Sequence, residues 1–121
     1  MSHYFRPSET MPNIHLYRDP VDFRKQSLGL AAIVEQELGH NPFDGGLYAF
    51  TNQRRNKIKC LFWENNGFVL YYKSLAQDEF HWPKRGEEVV SLTGQQINWL
   101  LDGYDITRMK GHKKLHYDAV Y

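Results

Sequence analysis

Four basic side chains within six residues are the clearest candidates for binding chemistry in this sequence. Arg54, Arg55, Lys57 and Lys59 lie in the stretch QRRNKIKCLFW, residues 53–63. Arginine matches phosphate geometry with paired donors, and a basic β-ribbon with aromatic side chains can follow a nucleic-acid backbone. Charged side chains also cover the solvent face of ordinary hairpins. The stretch by itself therefore leaves DNA contact and simple solvation equally open.

The other reactive residue types do not predict an active site. The acidic residues fall mostly at turns and helix ends, not as the paired carboxylates of a hydrolase or the clustered ligands of a two-metal nuclease. His112 and His116 have the spacing of two metal ligands on a helix, but adjacent lysines repel a cation and no third ligand is evident. Cys60 alternates with Ile58 and Phe62, which predicts a buried thiol. We expect no catalytic residues, no metal and no cofactor.

The composition is that of one small globular domain. Of the 121 residues, 41% are hydrophobic and 15% aromatic, which is enough for one core. The net charge is only +1, but basic residues are concentrated in 47–75 and 107–121, as a local anion-binding face requires. No apolar run is long enough to predict a membrane span. A lone Cys60 makes a reduced, cytoplasmic setting the expectation.

A helix and a run of strands must position the basic stretch. Residues 14–18 alternate like a short strand, and Asp19 and Pro20 then predict a helix that ends at Gly39. Strand-like runs follow at 47–52, 57–64 and 68–75.

The connection between the last two runs sets the register of a hairpin. Asn66-Gly67 suits a tight primed turn, which would place Trp63 opposite Leu70. Lys57 and Lys59 would then share one face of their strand.

The remaining elements complete a small mixed fold. Residues 80–83 predict a short edge strand, and Thr93 and Gln96 predict a capping box that starts a second helix, closed by Gly103. The predicted fold class is α+β: a single small domain with an antiparallel β-meander of three to five strands packed with two helices.

The two ends of the chain are expected to lie outside this domain. Residues 1–13 are polar and predict a flexible leader, in which Met11 is an alternative start. The domain is expected to span 14–106. Residues 107–121 predict a basic tail that is extended or disordered.

Four segments, in order, resemble a known family of transposition proteins. They are DFRKQSLGLA (22–31), NPFDGGLYAFTNQRRNKIKCLFWENNGFVLYYKSL (41–75), FHWP (80–83) and SLTGQQINWLLDGYD (91–105). They are similar to the signatures of TnpB, the second open reading frame of the insertion-sequence group numbered sixty-six, which is distinct from the RNA-guided nuclease of the same name. The chain departs from the family pattern at 26–28 and at 64–66.

The resemblance implies an accessory role in DNA transposition beside a separate DDE-type transposase, and it supplies no catalytic residues. We therefore expect a non-catalytic protein that binds DNA at the element ends through the basic residues of 53–59, helped by Lys73. Arg24 and Lys25 are further candidates, because a helix N-terminus beside them would offer free N–H groups to a phosphate. Surface solvation, or pairing with Asp22, is the alternative for these two.

Two other functions stay open at this level. The first is an adapter that docks the cognate transposase without binding DNA, with Tyr72, Trp82 or Trp99 as exposed anchors. The second, less expected, is a metal-dependent nuclease. The sequence makes no prediction of the oligomeric state.

Overall fold

A five-stranded sheet with one helix on each face forms the framework of the computed structural model, which describes residues 5–84 and 89–109. In chain order the elements are β1 (Ile14–Tyr17), α1 (Ser27–Gln36), β2 (Leu47–Thr51), β3 (Lys57–Glu64), β4 (Gly67–Ser74), β5 (Val89–Leu92) and α2 (Gly94–Leu101). The spatial order of the strands is β4-β3-β2-β1-β5. The predicted α+β class, with five strands and two helices, is confirmed.

The position of β1 makes the sheet mixed instead of a pure meander. β1 pairs in parallel with β2 and antiparallel with β5, while β2, β3 and β4 form the antiparallel part. A parallel pair needs a crossover connection, and α1 lies within that connection. Every residue of β2 is buried as a result, because β2 is central in the sheet and both of its faces are covered.

Two hydrophobic clusters fix the helices to the sheet. The α1 face packs Leu30 and Val34 of the helix against Tyr48, Phe50 and Leu61 of the strands. The α2 face is a larger cluster, whose buried members include Ile14, Leu16, Leu47, Ala49, Ile58, Cys60, Ile97, Leu100 and Leu101. Cys60 is fully buried and its pKa is raised to about 12 by burial, so the predicted core thiol is confirmed.

The start predicted for the first helix is wrong. The backbone N–H of Val21 donates to the carbonyl of Thr51 at 2.8 Å, so the segment after β1 is tied to the end of β2. A turn follows, and α1 begins only at Ser27, after Gln26, whose side chain makes no capping hydrogen bond. The end of the helix agrees better with expectation, since Gly39 adopts the left-handed φ of +68°.

The predicted hairpin register is wrong by two residues. Asn65 and Asn66 form the turn, with Asn65 at a φ of +53°, and Trp63 lies opposite Phe68 instead of Leu70. Because side chains alternate with a period of two, a slip of two residues leaves each side chain on its predicted face.

The predicted edge strand at 80–83 is also wrong. Phe80 and Trp82 are not in a strand and are buried in the α2-face core. The indole N–H of Trp82 donates to the carbonyl of Tyr17 at 3.1 Å, and the backbone N–H of Phe80 donates to the carbonyl of Arg55 at 2.7 Å. These bonds hold the segment across the sheet ends in place of strand pairing.

The capping box of the second helix is confirmed. The Thr93 hydroxyl accepts from the backbone N–H of Gln96 at 3.0 Å, and the Gln96 side chain accepts from the backbone N–H of Thr93 at 2.9 Å. Gly103 follows the helix with a φ of +97°. Among the described residues no helix is long and apolar enough to cross a membrane.

The described part of the N-terminal segment lies against α2. Arg6 forms an ion pair with Asp102 at 2.9 Å, and the Asn98 amide donates to the carbonyl of Pro7 at 2.8 Å. Met11 packs on the α2-face core. The predicted domain limits stay a prediction, and residues 110–121 of the expected tail lie outside the described part of the chain.

Gly94 sits where the N-terminal segment crosses the start of α2. A side-chain carbon at this position would overlap the carbonyl oxygen of Ser8 and would lie 2.6 Å from that of Glu9. We expect Gly94→Ala to lower the free energy of unfolding by about 1–3 kcal/mol through overpacking, measured by chemical denaturation. Helix propensity alone would favour alanine by about 1 kcal/mol, so the sign of the change is diagnostic.

A variant without residues 1–9 provides the control for Gly94. In that background the overlapping carbonyls are absent, and we expect the same substitution to be neutral or stabilising. An equal loss in both backgrounds would show that the close approach is not the cause.

Candidate nucleic-acid interface

The turn between β2 and β3 is organised by the amide of Asn52. Its oxygen accepts from the backbone N–H groups of Asn56 and Lys57, each at 3.1 Å, and its nitrogen donates to the Asn56 side chain at 2.7 Å. These bonds hold a tight loop from whose tip the Arg54 side chain is exposed to solvent. Sequence reasoning missed Asn52, although an asparagine that opens a turn is a recognisable signal.

Lys59 is buried, which corrects the expectation that it is free to meet a partner. Its side chain is only 2% exposed. The Nζ atom donates to the carbonyl oxygen of Phe23 at 2.9 Å and to that of Lys25 at 2.8 Å. The ammonium therefore ties the loop before α1, residues 21–25, to the first part of β3.

Two aromatic rings complete the environment of the Lys59 ammonium. Nζ lies 4.8 Å from the ring centre of Phe23 and 5.4 Å from that of Tyr72, distances at which the ring faces attract a cation. Burial lowers the pKa of Lys59, the nearby Lys57 lowers it further, and Asp22 acts in the opposite direction. The hydrogen bonds and rings offset the loss of hydration that burial of a charge entails.

Arg24 and Lys25 project from the loop that Lys59 holds. The Arg24 side chain is 91% exposed and forms an ion pair with Asp22 at 2.7 Å. Side-chain hydrogen bonds from Arg24 lower the pKa of Asp22 to about 2, so the carboxylate stays ionised at neutral pH. Because α1 begins only at Ser27, the expectation that these residues follow a helix cap is wrong.

The fold brings basic residues from two distant segments to one end of the sheet. The Val21–Thr51 bond places the loop beside the end of β2, and Lys57 is two residues from Lys59 on the same strand face. Two residues along a strand correspond to about 6.6 Å. We define the basic surface by four residues of the loop, the turn and the start of β3, of which three are exposed and Lys57 is half-buried: Arg24, Lys25, Arg54 and Lys57.

Two other predicted contacts are not part of the basic surface as defined. Lys73 is opposite Ile58 and so belongs to the α2 face, where its Nζ donates to the carbonyl of Leu101 at 2.7 Å. Arg55 is half-buried with a φ of +58°, and its Nε is buried without a hydrogen-bond partner among the described residues. The tertiary structure therefore does not bring Lys73 together with Lys57, and it restricts the reach of Arg55.

A second cluster of polar rings lies where β1 and β2 begin. His15 stacks on Tyr48 with ring centres 5.0 Å apart, and His40 Nδ1 is 3.0 Å from the Tyr48 hydroxyl. Burial and His40 lower the pKa of His15, while burial and Asp44 raise the pKa of Tyr48 to about 12.

Within 5–84 and 89–109, no group of three His, Cys, Asp or Glu side chains is placed to hold a metal ion. His112 and His116 lie outside the described residues.

Comparison with known proteins gives one family. The family model described as IS66 Orf2 like protein matches residues 12–111. Two similar proteins come from Sinorhizobium fredii, and both are described only as uncharacterized proteins. The one called y4jC is 31% identical over 91 residues, which are 75% of this chain and 78% of its own length. The one called y4hO is 27% identical over 99 residues, 82% of this chain and 86% of its own. No solved structure matches the chain.

The two lysines of β3, Lys57 and Lys59, provide a matched test of whether the buried Lys59 ammonium stabilises the fold. We expect Lys59→Met to lower the free energy of unfolding by about 1–3 kcal/mol, because two carbonyls lose a charged donor. Lys57→Met removes the same charge at a half-buried position and should change stability by less than about 0.5 kcal/mol. Chemical denaturation of both variants measures the difference. Equal losses would contradict the role assigned to the Lys59 ammonium.

Proposed function

The chain belongs to the IS66 Orf2-like family of accessory proteins in insertion-sequence transposition, and from this we propose that it binds DNA through the basic surface. The observation that supports the proposal is the tie between Lys59 and the loop of residues 21–25. It supports the proposal because it fixes the backbone that carries Arg24 and Lys25 to β3, the strand that carries Lys57.

The chemistry of the surface suits the phosphate backbone. Arg54 projects from a turn braced by Asn52 and offers the paired donors that match a phosphate, whereas Lys25 and Lys57 act as point charges. Arg24 is already paired with Asp22, so a phosphate must compete with that carboxylate for its guanidinium. We therefore assign the main contacts to Lys25, Arg54 and Lys57, with Arg24 in a lesser role.

The loop and the turn are ordered without a ligand by hydrogen bonds within the chain. Less conformational entropy is then lost when a DNA backbone is bound, which favours affinity. Contacts of this kind position a protein on DNA and do not read its sequence. The proposed surface accordingly supplies affinity and orientation.

In this proposal the protein acts without catalysing strand transfer. The DDE-type transposase of the same element supplies the carboxylates for phosphoryl transfer. The accessory protein binds the element ends beside it, in the cytoplasm.

An adapter that docks the transposase is the second candidate, and exposed aromatic rings favour it. Tyr72 is 51% exposed, and Phe43 is similarly exposed at the edge of a ring cluster with Trp63 and Phe68. Trp82, which the sequence suggested as an exposed anchor, is buried in the core.

A pull-down of the cognate transposase distinguishes the two candidates. If the DNA proposal holds, this protein should retain the transposase in the presence of element-end DNA and lose it after nuclease treatment. Retention that is unaffected by nuclease, together with no affinity for DNA alone, would favour the adapter.

Salt dependence tests the basic surface directly. Each phosphate contact contributes about 0.9 to the slope of log affinity against log salt concentration. We expect Lys25→Ala, Arg54→Ala and Lys57→Ala each to flatten that slope by about 0.9, and the triple variant to flatten it by about 2.7. Gel-shift titrations over a range of salt concentrations on element-end DNA measure the slope.

Arg108→Ala is the matched control for Arg54→Ala. It removes one exposed cation that follows α2, pairs with Asp105 and is not one of the four residues of the basic surface. Its slope should equal that of the unchanged protein. A triple variant with an unchanged slope would contradict the assignment of DNA contact to this surface.

A further inference from the structure

We propose that two copies of this chain pair through their β4 strands, antiparallel, and join their sheets into one continuous sheet of ten strands. The occupant of the β4 edge is thus a second copy of the same chain. The inference rests on the edge itself and is independent of DNA binding.

The outer edge of β4 is long, and no strand within residues 5–84 and 89–109 pairs with it. The strand pairs with β3 over all eight residues, Gly67–Ser74, without a bulge. In an antiparallel ladder, alternate residues of an edge strand direct their N–H and C=O groups away from the sheet. Among the described residues no other backbone hydrogen bond reaches these positions.

The sequence of β4 also lacks the usual protection against strand pairing. Natural edge strands are blocked by proline, bulges or charged side chains. The sequence GFVLYYKS has no proline and no acid, and its single charge, Lys73, is bound to the carbonyl of Leu101. Val69 is 37% exposed and Tyr72 is 51% exposed, so both faces of the edge offer apolar surface.

The strand is self-complementary when two copies are centred on Leu70. Phe68 of one copy then lies opposite Tyr72 of the other, Val69 lies opposite Tyr71, and Leu70 lies opposite itself. Aromatic pairs and pairs of an aromatic with a β-branched residue are favourable across strands. A register centred on Tyr71 is poorer, because it would place the Lys73 of each copy opposite an apolar Val69.

The charges of the two copies agree with the Leu70-centred register. Lys73 would lie opposite Gly67 of the second copy, where the space above the glycine is open. Glu64 is the β3 partner of Gly67 and is exposed. Glu64 of one copy and Lys73 of the other would thus lie in one row on the same face, about 9.6 Å apart at two strand spacings. The opposite charges attract each other across a residue without a side chain while the Lys73 ammonium keeps its bond to the Leu101 carbonyl.

The proposed interface does not use the basic surface. That surface lies at the end of the sheet where β2 ends and β3 begins, and none of its four residues belongs to β4. A two-fold axis at Leu70 reverses the strand direction, so the basic surfaces of the two copies point to opposite ends of the joined sheet.

Molar mass in solution tests pairing. Light scattering on the full chain should give twice the 14.3 kDa of one copy and fall towards one copy on dilution. Val69→Lys places an unpaired charge opposite Tyr71 of the second copy, on the sheet face away from Lys59, and should shift the protein to the mass of a single copy. Leu28→Lys is the matched control, because Leu28 is 79% exposed but lies on α1, and it should leave the mass doubled.

A cysteine cross-link tests the register. Directly opposite residues lie about 4.5–5.5 Å apart at Cα, within the range of a disulfide. Leu70→Cys should therefore form a covalent dimer under mild oxidation. The native Cys60 is buried and should not react.

Tyr72→Cys is the control for the cross-link. Residue 72 is more exposed than residue 70, but its counterpart in the second copy would be four residues away along the strand, about 13 Å. It should therefore cross-link much more slowly. The mass of one copy at every concentration, or equal cross-linking at both positions, would overturn the proposal.

Discussion

The burial of the Lys59 ammonium beneath the loop of residues 21–25 is the constraint on which the candidate site depends. A charged group in the interior is costly unless it is hydrogen-bonded. Here it donates to two carbonyls, at 2.9 and 2.8 Å, and lies near the rings of Phe23 and Tyr72. The same contacts that satisfy the charge fix the loop to β3. Arg24 and Lys25 are therefore held over β3, two residues along the strand from Lys57.

The sheet provides the rigidity that this arrangement needs. β2 is buried along its whole length, because α1 covers one face and α2, with the segment around Trp82, covers the other. Because β1 and β2 are parallel, their C-terminal ends lie at the same end of the sheet. The loops that follow those strands begin there, and the backbone bond from Val21 to Thr51 joins them although 30 positions separate the two residues.

Positive charge and apolar side chains lie on different parts of the domain surface. The basic surface lies at one end of the sheet, whereas the outer edge of β4 carries apolar and aromatic side chains and one lysine that is held by α2. The basic surface has the charge to bind an anionic polymer such as DNA, and the outer edge of β4 has the side chains to pair with the β4 strand of a second copy. Binding of DNA and association of two copies are therefore compatible on one small domain.

The sequence by itself determined the α+β class, the second helix with its Thr93–Gln96 capping box, the buried Cys60 and the family. These features depend on local patterns or on motifs within short segments. It also indicated the shared face of Lys57 and Lys59, because side-chain alternation survives a two-residue error in register. Asp19 and Pro20 misled the helix prediction, since a tertiary bond from Val21 to Thr51 outweighs local propensity for a helix start.

Only the tertiary structure decided which basic residues are available. Lys57 and Lys59 look alike in the sequence, yet Lys57 is a half-buried member of the basic surface, whereas Lys59 is buried and bonded to the loop of residues 21–25. Lys73 is separated from them by the thickness of the sheet, because it faces α2. Whether a lysine of β3 is buried or available depends on which carbonyls and rings from residues 21–25 reach that strand. This is a long-range contact, and no local pattern in the sequence encodes it.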